Sequence, residues 1–183
     1  MRMRSKFVIG AVRSLDSFRH RRDGSAAVEF ALVAPLFFAV LFAIIETGLV
    51  LFAGEVLESG TQDVSRLIFT GDAQSMSKAD FKNRLCGRVT ALFDCSKIEI
   101  DVRAFSPGST VTIVNPIDPG TGQFINSFVY QMDQASIGST VVVRAFYQWP
   151  LFVTQLGYNI ANIDRGTINS KRLLAGTAAF VPQ

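Results

Sequence analysis

The sequence predicts an α+β fold: a long N-terminal transmembrane helix followed by a small domain with an antiparallel sheet. Three observations predict it. One uncharged apolar run is long enough to span a bilayer, and apolar residues recur at helical spacing directly after it. Later segments alternate apolar and polar residues as half-buried strands do.

The apolar run decides the first element. A chain of 183 residues with 49% hydrophobic side chains and a mean hydropathy of +0.30 is apolar for a water-soluble protein, and the excess is concentrated in one place. Phe30–Ile45 is sixteen residues without a charge or a hydrogen-bonding side chain, and after Glu46 and Thr47 the run resumes over Gly48–Ala53. As a helix, the stretch Phe30–Ala53 would be roughly 36 Å long, enough to cross a hydrocarbon core of about 30 Å. A buried core helix of that length would show a polar face, and this one has none. A cleaved secretory signal is disfavoured, because the run exceeds an h-region and Leu51 stands where a small residue is wanted.

Charge orients the helix. Residues 1–24 hold seven basic and two acidic side chains, net +5, whereas the rest of the chain holds eleven basic and thirteen acidic ones. Lys and Arg on the N-terminal side alone place that side in the cytoplasm. The basic pI of 9.1 thus belongs to the leader, and no basic patch remains to bind nucleic acid. The expected organisation is a cytoplasmic leader over 1–24, a transmembrane helix over 25–54 and an α+β domain over 55–183.

Beyond the membrane the helix is expected to continue from about Ala26 to Thr70, with Leu57, Val64 and Ile68 at helical spacing and Gly71 as its stop. A second helix starts at Ser77, with Asp80 three residues on as a weaker capping box and Phe81, Leu85, Val89 and Leu92 on one face. Ile98, Ile100, Val102 and Ala104 alternate with Glu99, Asp101 and Arg103, a half-buried strand. Residues 106–123 are loop, broken by Pro107-Gly108, Pro116, Pro119-Gly120 and Gly122, with room for a short strand at Val111–Val114. Thr140–Trp149 is a second strand, closed by Pro150. Leu173–Phe180 reads as a third strand, although its Ala and Gly content leaves a helix open. Val102-Arg103-Ala104-Phe105 and Val143-Arg144-Ala145-Phe146 echo one another, but four residues recur by chance and carry no weight.

Enzyme chemistry finds little support. The single histidine, His20, lies in the leader, so neither a His triad nor a His/Cys metal cluster can form beyond the membrane. Pro119-Gly120-Thr121-Gly122 lacks the Lys-Ser/Thr and helix of a phosphate loop. No cofactor and no small-molecule substrate is expected, although a carboxylate pair or Ser/Lys dyad could be assembled from what remains.

Around Gly24 the sequence reads Arg21-Arg22-Asp23-Gly24-Ser25-Ala26-Ala27-Val28-Glu29-Phe30-Ala31-Leu32-Val33-Ala34-Pro35. With Ile45-Glu46-Thr47-Gly48 further on, this resembles the TadE/TadG-like family of pilin-like proteins, which accompany the tight-adherence (Flp-type) pilus of bacteria. The resemblance covers about forty residues and fades through Val56–Arg66. It implies cleavage between Gly24 and Ser25 by a prepilin peptidase, and a role for Glu29 in assembly with other pilin-like subunits and the pilus machinery. Phe30 stands where the family's major pilins carry Tyr, and those pilins are far shorter; both differences point to a minor, pseudopilin component. The implied location is the bacterial inner membrane, N-terminus cytoplasmic and C-terminal domain periplasmic, in association with an extracellular pilus. Two other readings stand beside it: an unprocessed membrane-anchored partner of the secretion machinery, and a membrane-tethered periplasmic enzyme or sensor.

Four further residues are weighed on their own. Pro35 within the span either kinks the helix or serves packing. Glu46 is read as a glutamate at the head-group layer with no further role. Cys86 and Cys95, on the oxidising side, are expected to form a disulfide. Nine residues apart on a straight helix they would be roughly 13 Å apart, beyond the reach of a bridge, so the second helix must break before Cys95, at Gly87 or at Phe93-Asp94.

Overall fold

The computed structural model describes residues 24–69, 76–153 and 158–182. The basic leader up to Asp23, His20 and the Gly71 stop lie outside the described residues. The chain forms two compact units, Met1–Phe42 and Ala43–Gln183. Helix α1 spans Ser25–Phe69, 45 residues with Pro35 inside. In the first unit its apolar side chains, Phe30, Leu32, Leu36 and Phe37 among them, are exposed. Ring contacts of Phe38 with Phe37 and Phe42 run along this part of the helix.

In the second unit α1 acquires a buried stripe: Val50, Ala53, Leu57, Val64 and Ile68, spaced three, four and seven residues apart. The hydroxyls on this part of the helix are satisfied locally. Thr47 and Thr61 donate to the carbonyls of Ala43 and Leu57, and Ser65 to that of Thr61, all at 2.7–2.8 Å. Thr61 and Ser65 can therefore lie buried without cost in orphaned polar groups.

Helix α2, Lys78–Val89, begins where expected: Ser77 is its N-cap and accepts from the Asp80 amide at 3.1 Å. It buries Phe81, Leu85 and Val89. It ends earlier than the sequence placed it, so Leu92, half-buried, lies in the turn beyond it. The break falls at Thr90, not at Gly87, which stays helical. Leu92 and Phe93 amides both return to the Val89 carbonyl, and Phe93 is tucked edge-on against Tyr147 and Trp149.

The sheet has the order β1-β2-β3, all antiparallel: β1 Glu99–Phe105, β2 Thr140–Pro150 and β3 Lys171–Phe180. The third segment is a strand, which settles the helix alternative; residues 111–114 form no strand. Ile100 and Val102 of β1 and Val141, Val143, Ala145 and Tyr147 of β2 face α1 and α2 in the core. Where β3 passes α1, Gly176 makes the close approach possible: a Cβ there would lie 2.5 Å from Thr61 Oγ1 and 2.7 Å from the Leu57 carbonyl oxygen.

One expectation fails in the middle of the sheet. Alternation in β1 puts Asp101 on a solvent face, yet Asp101 is fully buried, and β2 is buried on both faces from Val141 to Tyr147. The reason is the long connection from Ser106 to Tyr130, which folds back over the second face. There Phe124 and Phe128 pack on Phe146. Val102 exchanges backbone hydrogen bonds with Val129 and Gln131 at 2.8 and 2.9 Å, so the same connection covers the free edge of β1.

Candidate processing and assembly site

The residues singled out for processing and assembly stand together at the start of α1. Gly24 is exposed and immediately precedes the helix, Ser25 is its first residue, and Glu29 is exposed one turn further on. The first turn has a small-residue run, Ser25-Ala26-Ala27, and past Glu29 the helix is uncharged and apolar from Phe30 to Ile45. Among the described residues one helix is long and apolar enough to cross a membrane, and its apolar window is wholly unburied by protein.

Glu46 is not an idle interfacial glutamate. It is buried, and its carboxylate accepts from the backbone amides of Phe152, at 2.5 Å, and Val153, at 3.2 Å, directly beyond β2. This corrects the reading of Glu46 as a residue without a role. The reason is tertiary: α1 carries the carboxylate to the point where β2 ends and two amides have left the sheet ladder. A lone acid inside an apolar run was the signal in the sequence, but the partner lies more than a hundred residues away. One turn beyond the end of the apolar stretch, Glu58 acts similarly, accepting from the Thr177 amide of β3 at 2.7 Å.

Residues 24–66 match the family model described as TadE-like protein. The TadE-like segment thus holds Gly24, Ser25, Glu29, Glu46 and Glu58, and it ends within α1. It supports involvement in tight-adherence pilus assembly and, with the exposed apolar helix, anchoring in a membrane. No curated protein and no solved structure matches the chain.

Beyond the TadE-like segment, Cys86 and Cys95 form a disulfide with a Cα separation of 5.7 Å. The turn at Thr90 brings them together, and Asp94 stabilises the short 3-10 turn Cys95–Lys97 that follows. The Ser96 hydroxyl and amide and the Lys97 ammonium, at 2.6, 3.0 and 3.0 Å, hold the Asp94 carboxyl down to about 2.

The most heavily bonded polar cluster was missed at the level of sequence. Asp101 accepts from Arg144 Nη2 at 2.6 Å and Nε at 3.1 Å, from Arg103 Nε at 3.0 Å and from the Val129 amide at 2.9 Å. Arg144 also donates to the Val114 carbonyl at 2.9 Å and lies 5.1 Å from the centre of the Phe146 ring, while Arg103 reaches the Ser127 carbonyl at 3.2 Å. Burial alone would raise the Asp101 pKa, but the Val129 amide and the two guanidinium groups outweigh it and keep the carboxyl below its ordinary value. The echoed Val-Arg-Ala-Phe segments held the available signal. They sit on neighbouring strands, Val102 opposite Val143 and Asp101 opposite Arg144. The cluster ties the 106–130 connection to the sheet at Val114, Ser127 and Val129, which is a structural task.

Proposed function

We propose that this protein is a minor pilin-like (pseudopilin) component of tight-adherence pilus assembly. A prepilin peptidase cleaves it between Gly24 and Ser25. It is held in the bacterial inner membrane by α1, N-terminus cytoplasmic, with the domain over 55–183 in the periplasm. The observation that carries this reading is the TadE-like segment, with Gly24 exposed at the very start of a helix whose first two turns are apolar apart from Ser25 and Glu29. An exposed glycine before a helix gives a peptidase an extended, accessible bond. The new amine at Ser25 and the Glu29 carboxylate would then stand one turn apart at the cytoplasmic edge of the span.

In this reading Glu29 drives assembly. An acid at the membrane edge reaches water while the subunit is alone; packed among neighbouring apolar helices it would be desolvated, and a neighbour's free amine is its natural partner. The deciding experiment is the intact mass and N-terminal sequence of protein extracted from membranes, with and without the peptidase. A peptidase-dependent mature N-terminus at Ser25 is expected. An intact Met1 in both strains would leave an unprocessed anchored partner of the machinery as the function.

A further inference from the structure

We propose that the segment just beyond β2, led by Phe152, dips into the periplasmic leaflet of the same membrane that α1 crosses, giving the domain a second, monotopic contact with lipid. The argument begins with levels along α1. Phe152 and Val153 are tied through their amides to Glu46, so their backbone lies at the height of Glu46. Counting about 20 residues from Phe30 puts the far boundary of the hydrocarbon near Leu49, roughly 4–5 Å beyond Glu46. Further out still on the helix, Leu51 and Phe52 remain exposed and apolar. A membrane that covers those side chains also covers whatever stands beside Glu46.

What stands there is suited to lipid. Phe152 is 79% exposed, and Ile168, in the segment that meets Leu151 through the Ser170 carbonyl, is 82% exposed. On α1, Ile45, Leu49 and Phe52 of the same unit are likewise exposed and apolar. Arg165 and Arg172, exposed on either side of Ile168 in the sequence, carry positive charge that suits anionic lipid head groups. The role of Glu46 follows as well. Backbone amides that leave a sheet inside a bilayer have no water to bond, and each would be strongly unfavourable. Glu46 accepts from both, which lets this irregular backbone sit at membrane depth.

The inference rests on α1 spanning the membrane, and the test separates the two. Full-length protein carrying Trp149→Phe would receive a single tryptophan by Phe152→Trp, Ile168→Trp, Leu51→Trp or Ile137→Trp. Each would be reconstituted in phosphatidylcholine–phosphatidylglycerol vesicles whose acyl chains are brominated, and tryptophan quenching measured. Ile137, also 79% exposed, sits beyond the opposite end of the 11-residue β2 and is the control, roughly 35 Å away along the strand. Quenching at 152 and 168 should approach that at 51 and exceed that at 137 about threefold or more, as expected for side chains about 5–10 Å into the interface. Strong quenching at 51 with 152 and 168 no higher than 137 would overturn the lipid contact and leave this patch to a second copy or another subunit. No quenching at 51 would instead refute the spanning helix itself.

Discussion

Removing the Asp101 carboxylate by Asp101→Ala should destabilise the sheet-bearing domain more than any single surface change. Arg144 has 6% of its side chain exposed and would keep its charge with no counter-ion, and the Val129 amide would lose its acceptor. Breaking a buried pair from one side costs about 3–5 kcal/mol. With each kcal/mol worth about 3 °C in a domain of this size, the midpoint should fall by about 10 °C or more. The assay is thermal unfolding of the full chain in detergent, followed by near-ultraviolet circular dichroism of Tyr147 and Trp149. Limited proteolysis run alongside should show new cutting between 106 and 130, because Arg144 and Arg103 would no longer be held where they bind the Val114 and Ser127 carbonyls. Replacing both partners, Asp101→Leu with Arg144→Met, removes the orphaned charge and should recover much of the loss. pH adds a second arm. Because the folded-state pKa of Asp101 is lowered, its contribution is present above the ordinary value of 3.8 and is lost as pH falls through the depressed one. The variant should therefore lose less stability than the wild type on acidification below about pH 4. A midpoint lowered by under about 3 °C would refute the reasoning, since it would mean the buried pair had been matched by water all along.

Three other outcomes are expected. Glu29→Gln should leave membrane insertion and cleavage after Gly24 intact while reducing cross-linking to partner pilin-like subunits, with Glu29→Asp intermediate; normal partner capture by the Gln variant would remove Glu29 from assembly. Gly176→Ala should cost about 1–3 kcal/mol by denaturant titration, because the new methyl group meets the Leu57 backbone carbonyl at 2.7 Å and neither element can yield. Cys86→Ser with Cys95→Ser should cost about 2–3 kcal/mol by the loop-entropy relation for a separation of nine residues, and the unreduced wild-type protein should resist thiol alkylation; rapid alkylation before reduction would show the bridge to be open.

The elements were legible because each writes a local period into the chain. A sixteen-residue uncharged run, the Ser77 cap and the alternation of Ile98, Ile100 and Val102 need no knowledge of distant residues. The disulfide was legible too, since two cysteines expected on an oxidising side leave one pairing, and the geometric demand it placed on α2 was met at Thr90 rather than at the glycine. Chain breaks follow what the core needs, here a pocket for Phe93, and not flexibility alone.

The sequence by itself determined the long apolar helix, the three strands, the bridge between Cys86 and Cys95 and the TadE-like start of α1. Those depend on composition and spacing within a few turns or a few pleats. Only the tertiary structure decided which acids past the start of α1 are buried and bonded. Asp101 stands at a position that alternation assigns to solvent, and Glu46 at one that its place near the end of the apolar run suggests is idle. Each is buried because a distant segment folds against it: the 106–130 connection in one case, the end of β2 in the other. Side-chain direction is set locally by the backbone period, but what covers a face is set by long-range packing.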